Sequence, residues 1–304
     1  MDRIVIVTKS TRLEELVRQY LTEGAARFNL ESHGESISAQ KEEDAVYKAA
    51  LQEIRRQIPS DMPVTTVRRE DLPNFLFRDK DLIIVCGPDG LFVNLAKYVR
   101  AQPVLSVNPD PKTIAGVLML FSPSSVGGMI AQVQEGKHRI ERLPLAKASI
   151  DDDRAVWGVN DIFIGRKDHI SARYGISFCG RSEHQSSSGI VVSTGVGSTG
   201  WLRSIATMVA ALCPDNEENE LSSPPEATSD ELLFVVREPF PSPSTGTRIV
   251  TGRIMPGEPL VVTSEMPEGG YIFSDGVTEK ALAWKAGSKV TVSVGERYVE
   301  RIVP

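Results

Sequence analysis

The chain has 304 residues, of which 41% are hydrophobic, enough to bury a sizeable core and more in keeping with two domains than one. Its net charge of −6 excludes a global basic field that would draw it to nucleic acid or an anionic membrane, so any phosphate must be held by local groups. Cys86, Cys179 and Cys213 lack the paired spacing of a zinc site or a disulfide framework, which fits a reducing, cytoplasmic setting.

The start at Met1 lacks the cationic and apolar regions of a signal peptide, and no apolar run reaches membrane-spanning length, so no membrane partner is expected. Residues 4–7 predict a first strand, and Thr11-Arg12-Leu13-Glu14 has the form of a capping box that opens a helix. A longer helix is predicted over 38–58, where Ala45, Val46, Ala49, Leu51, Ile54 and Ile58 keep an approximate helical period. Strands follow near 64–67, 82–85 and 104–107, with a helix over 91–100 between two of them. This alternation predicts an α/β domain over residues 1–142, with a parallel sheet and its ligand edge at the strand C-termini.

Within that domain, Cys86-Gly87-Pro88-Asp89-Gly90 places one carboxylate in a turn between a strand and a helix. Gly87 and Gly90 permit close backbone approach, and the helix offers its positive end to an anion. Asp89 there either binds magnesium or orients a hydroxyl beside a phosphate, or it caps the helix.

After residue 143 short alternating segments near 155–164, 170–178, 231–236, 260–263, 280–284 and 289–294 predict a mainly antiparallel β-rich domain over 143–304. A helix over 198–212 interrupts it, residues 214–230 read as an exposed acidic loop, and Ser274-Asp275-Gly276 reads as a hairpin turn. Arg181 and His184 flank what reads as a polar loop before the glycine-rich strand, exposed to solvent or touching a phosphate. His33, His138, His169 and His184 lack metal-ligand spacing, so no metal site is expected. Trp157, Trp201 and Trp284 read as core.

Two segments of this domain carry candidate chemistry. Ser193-Thr194-Gly195-Val196-Gly197-Ser198-Thr199-Gly200 joins a strand to a helix, with small residues for close approach and hydroxyls that can donate to phosphate or sugar oxygens. No Lys stands beside the hydroxyls as in a Walker A loop, so phosphate charge would need magnesium, helix-end amides or Arg203. An ordinary N-cap at Ser198 is the alternative. Asn160-Asp161 interrupts an apolar stretch, and both residue types are depleted in strands. The pair either projects toward a ligand from a strand end or marks a surface turn.

In this order the motifs resemble those of the NAD kinase family, within the wider diacylglycerol-kinase-like group. Gly87-Pro88-Asp89-Gly90 is similar to the family's Gly-Gly-Asp-Gly, Asn160-Asp161 to its Asn-Glu or Asn-Asp pair, and Ser193 through Trp201 to its Ser-Thr-Pro-Thr-Gly-Ser-Thr-Ala-Tyr stretch. Asn108 and the turn at Asp275 also have family counterparts. The resemblance implies an α/β domain joined to a β-rich one with the cleft between them, and ATP-dependent phosphorylation of the adenosine ribose of NAD, with Mg2+ as the accompanying ion. It makes Asp89 the catalytic residue. Gly87, Gly90, Asn160, Asp161, Thr194, Gly195, Gly197, Ser198 and Thr199 are the nucleotide-binding set, and a homo-oligomer is implied. The chain departs from the family at Pro88, Leu91, Gly195-Val196 and Ser188, and has Pro239-Phe240-Pro241-Ser242-Pro243 in the region of a late histidine. Pro88, Leu91 and Ser188 make a nucleotide-binding sensor one rival reading, and the likeness of the wider group to the Gly-Gly-Asp-Gly element makes a lipid kinase another.

Overall fold

The computed structural model describes residues 1–151, 154–213 and 220–304, which form two compact units. The first comprises Met1–Glu141 with Val299–Pro304, and the second Arg142–Tyr298.

In the first unit β1 (Arg3–Thr8), β2 (Val64–Arg68), β3 (Asp81–Cys86) and β4 (Pro103–Val107) lie parallel in the order β2-β1-β3-β4. Glu300 and Arg301 pair in parallel with Pro103 and Val104. Residues 4–7 and 82–85 are wholly buried, and their unbroken apolar runs suit parallel strands covered on both faces. The helices are α1 (Arg12–Tyr20), α2 (Glu23–Ser32), α3 (Ser38–Arg56), α4 (Asp89–Ala96) and α5 (Val126–Gln134).

The capping box at Thr11 forms as expected, with Thr11 and Glu14 each accepting the other's backbone amide. The predicted long helix is α3, but its buried face is Asp44, Tyr47, Ala50 and Ile54, while Ala45 and Ala49 are exposed. Asp44 can lie inside because its carboxylate accepts from Thr11 Oγ1 at 2.7 Å and from Lys48 Nζ at 2.7 Å. Tyr47, Ala50 and Ile54 join Ile4, Ile6, Leu82 and Ile84 in one core.

The second unit is built from β5 (Arg139–Ile150) from Arg142 onward, β6 (Ala155–Gly158), β7 (Asp161–Arg166), β8 (Ala172–Phe178), β9 (Arg181–Ser187), β10 (Ile190–Ser193), β11 (Leu232–Val236), β12 (Thr251–Ile254), β13 (Leu260–Ser264), β14 (Gly270–Ser274), β15 (Val277–Ala283) and β16 (Lys289–Val303) as far as Tyr298. One antiparallel sheet runs β12-β11-β10-β7-β14-β15, and β16, β13, β8 and β9 form a second antiparallel run, which belongs to the same ten-stranded sheet as β1–β4. Ile162, Ile190 and Phe234 of the first meet Tyr174, Val262 and Val292 of the second in one core. On the other face, Phe163, Val191 and Leu233 pack with Leu202 and Ile205 of α6 (Trp201–Leu212). Both faces of β10 are therefore covered, which explains its continuous Ile-Val-Val run.

Three readings of this region change. The polar loop read beside Arg181 and His184 is strand β9, whose Ser, Glu and Gln residues carry no apolar alternation to reveal it. The helix over 198–212 starts at Trp201, after a tight 3-10 turn over Val196–Thr199. Of the acidic loop, residues 214–219 lie outside the described residues, while Glu220–Ser222 forms another short 3-10 turn. Among the described residues no helix is long and apolar enough to cross a membrane.

Candidate active site

The first motif begins where β3 ends. Tyr47 donates to the Cys86 carbonyl at 2.8 Å and accepts from the Lys9 amide at 3.0 Å, and its burial pushes the phenol well above its ordinary pKa. Gly87 N–H donates to Val107 at 3.2 Å, tying the turn to β4. Pro88 is the N-cap of α4 at φ −78° and ψ 167°, so its missing N–H falls at a helix start, where no intrahelical bond is lost.

Asp89 does not cap the helix. It is the first helical residue, and its Oδ2 and Oδ1 accept from the amides of Val117 and Leu118, each at 3.0 Å. That loop turns at Gly116, whose φ is +56°, and is braced by Asn108, which donates from Nδ2 to Ile114 at 3.0 Å. A β-carbon on Gly90 would meet nothing within 4 Å, so the turn is open there, whereas one on Gly87 would touch Leu91 Cδ2 at 2.8 Å.

In the glycine-rich loop the hydroxyls turn toward the chain. Thr194 Oγ1 donates to Val159 at 2.6 Å and accepts from Gly197 N at 3.1 Å, while Ser193 Oγ donates to Thr194 at 3.0 Å. Ser198 donates back to Gly195 at 2.7 Å, Thr199 reaches Val196 at 3.4 Å, and no side chain caps α6, which corrects the N-cap alternative. A β-carbon on Gly195 would lie 1.8 Å from the Glu226 carbonyl oxygen, and one on Gly197 1.9 Å from that of Asn160. Neighbouring backbone therefore already requires glycine at both places. Ser198 is half-buried and Thr199 and Gly200 are exposed, forming the loop's outer rim.

Asn160 occupies the corner between β6 and β7, half-buried, and Asp161 opens β7, buried opposite Ser193. Asp275 in the β14–β15 turn grips this corner. Its Oδ1 accepts from the amides of Val159 at 3.0 Å, Asn160 at 2.7 Å and Asp161 at 3.3 Å, and its own amide donates to the Asp161 carbonyl at 3.0 Å. Asp275 and Gly276 have φ of +52° and +69°, the left-handed backbone of a tight hairpin turn. Thr194 N–H completes the corner by donating to the Asn160 carbonyl at 2.9 Å.

The second unit thus gathers Asn160, Asp161, Thr194, Gly197 and Asp275 into one bonded cluster, with Gly195, Ser198 and Thr199 on the same loop. Gly87, Asp89 and Gly90 belong to the first unit. The sequence marks Asp275 only as a turn residue, and an Asp facing three consecutive amides has no sequence signature. Trp284 is fully buried; Trp201 stacks on Phe163 at 5.6 Å, and Trp157 is only partly buried beneath Lys147 and Arg297. His184 pairs with Glu265, and the described residues hold no group of three metal-binding side chains. A groove of about 750 Å³ at β9, lined by residues including Arg181, Ser182 and Arg248, contains none of the motif residues.

No family model matches the chain. It is 26% identical to the rat protein named NAD kinase 2, mitochondrial, over 79% of this chain and 74% of that one. The human protein of the same name is likewise 26% identical, over 79% and 71%. In fold it is similar to yeast NADH kinase, solved with NADH, at a TM-score of 0.61 and 14% identity over 99% of this chain and 83% of that one. An NAD kinase from Archaeoglobus fulgidus, solved with ATP, gives a TM-score of 0.57 and 17% identity over 98% and 92%. A parallel-sheet unit joined to an antiparallel sandwich, with these relatives, marks a kinase-type phosphotransferase. In sequence and in fold, the chain resembles the NAD kinase family.

Proposed function

We propose that the chain is an ATP-dependent NAD kinase that phosphorylates the 2′-hydroxyl of the adenosine ribose to give NADP. The observation that carries this reading is the similarity to NAD kinases over 79% of the chain, together with three motifs in the family's order. The ribose oxygen forms a bond to the γ-phosphorus, the bond from that phosphorus to the β,γ-bridging oxygen breaks, and ADP leaves while the hydroxyl proton is released to water. Asp89 accepts that hydroxyl's hydrogen bond and aims it. Phosphoryl transfer depends mainly on alignment and charge stabilisation, so the carboxylate's task is to aim the hydroxyl.

Asn160 and Asp161 hold the acceptor nucleotide through its sugar or base, and Ser198 and Thr199 line the adjoining phosphate region. Thr194, Gly195 and Gly197 act by shaping the loop, and Gly87 and Gly90 by letting backbone approach. Magnesium would accompany the triphosphate and offset part of its negative charge. A homo-oligomer is part of this reading.

A second reading, a nucleotide-binding sensor, draws on Asp89, whose two carboxylate oxygens each already hold a backbone amide. The deciding experiment incubates purified protein with ATP, magnesium and NAD and detects NADP with an NADP-specific dehydrogenase. NADP formation by the wild type and its loss in Asp89→Asn is the expected result. Nucleotide binding without turnover selects the sensor.

A further inference from the structure

We infer that Asp275 is a positioning residue for the acceptor nucleotide, fixing the corner from which Asn160 reaches the ribose; this rests on the kinase reading above. Three successive backbone amides, those of Val159, Asn160 and Asp161, converge on one carboxylate oxygen, and the Val159 amide also lies 3.2 Å from the second. Successive N–H groups of this kind form a concave anion site, and here the chain fills it with its own side chain. Bonds to a charged acceptor are stronger than neutral ones, so the corner is held more firmly than a hairpin alone would hold it.

The grip is reciprocal. The Asp275 amide donates to Asp161, and Thr194 holds the Asn160 carbonyl from the other side. A β-carbon on Gly197 would collide with that same carbonyl, so the loop presses on the corner as well. Both backbone polar groups of Asn160 are therefore committed, while its side-chain amide enters no hydrogen bond among the described residues. A fixed backbone carrying an unspent carboxamide is preorganised for a ligand's hydroxyl or carbonyl, and Asp275 supplies the fixing.

The test measures KM for NAD, KM for ATP and kcat for wild type, Asp275→Ala and Asp275→Asn, with Val292→Ala as a core variant that lowers stability away from the corner. Misplacement of a binding group by about 1 Å can cost roughly 100-fold, so Asp275→Ala is expected to raise KM for NAD or lower kcat by up to about that factor. KM for ATP should change far less. Asp275→Asn keeps one carbonyl oxygen for the three amides and should recover part of the loss, while Val292→Ala should leave both KM values unchanged. Amide exchange at Val159, Asn160 and Asp161 should accelerate in Asp275→Ala, a readout independent of turnover. NADP formation with unchanged NAD kinetics in Asp275→Ala overturns the positioning role and leaves the kinase reading standing. A wild type that neither binds nor phosphorylates NAD overturns both, whatever the exchange data show.

Discussion

The carbonyl oxygen of Asn160 lies 1.9 Å from the place a β-carbon on Gly197 would take, so the glycine-rich loop and the Asn-Asp corner fit together only with glycine there. Gly197→Ala must push backbone, not a flexible side chain, and is expected to destabilise the second unit by about 1–3 kcal/mol. Gly195→Ala, facing the Glu226 backbone, should behave alike. Gly90→Ala is the contrast, since it adds a methyl group to open space in a helix and should be neutral or stabilising by up to about 1 kcal/mol. Urea denaturation of the three variants separates these outcomes. A loss of NADP formation in a fully stable Gly90→Ala would mark that opening as the place of ligand approach.

Asp89→Asn removes one of two acceptors. Asp89 offers an oxygen to each of Val117 and Leu118, and an Asn side chain would set an NH2 group against one of those amides. Losing that bond should cost about 1 kcal/mol, a small part of the first unit's stability. Turnover should fall much further, by roughly a hundred to ten-thousand-fold, with KM for ATP little changed. Steady-state kinetics beside a thermal melt separates the two effects. Turnover within twofold of wild type would leave Asp89 as a brace for the 116–118 loop.

These contacts show what a sequence can and cannot reveal. The capping box at Thr11 is legible because both partners are side chains of characteristic type three residues apart. The Asp275-Gly276 turn is legible for the same local reason, yet its grip on the corner is not, because its partners are amides 114 to 116 residues earlier. Backbone donors have no residue identity, which also hides the hold of Val117 and Leu118 on Asp89. Strand β9 escapes because its buried Gln185 is satisfied by hydrogen bonds, donating to Ile249 at 3.1 Å, instead of by apolar packing. On α3 the periodicity locates the helix but misplaces its face, since Ala45 and Ala49 favour helix without having to be buried.

Cysteine accessibility follows directly from the fold. Cys86 is wholly buried at the end of β3, and burial pushes its thiol up to about 12, so at neutral pH it offers almost no thiolate. Cys179 and Cys213 are exposed. Iodoacetamide at pH 7.5 should label those two in the native protein and reach Cys86 only in denaturant, as read by peptide mass spectrometry. Native labelling of Cys86 at a comparable rate would mean that the β3 end opens.

The ion pair between Arg3 and Asp81 sets an acid limit on the first unit. Asp81 is 1% exposed, and it accepts from Arg3 Nε at 2.9 Å and from the Arg78 amide at 2.8 Å. Burial alone would raise its pKa, but those hydrogen bonds and the two arginine charges outweigh it and hold the carboxyl below 3.8. A pKa lower in the folded than in the unfolded chain means that unfolding takes up protons in the window between the two values. The pair's contribution is therefore complete above the unfolded value near 3.8 and drains away as pH falls through the lower folded one. Asp81→Asn leaves Arg3 largely buried without its counter-charge, which should cost roughly 3 kcal/mol at pH 7. The difference between wild type and variant should shrink progressively in urea titrations taken from pH 5 down to pH 2. A difference that stays constant across that range would show that Asp81 acts through packing and not through its charge.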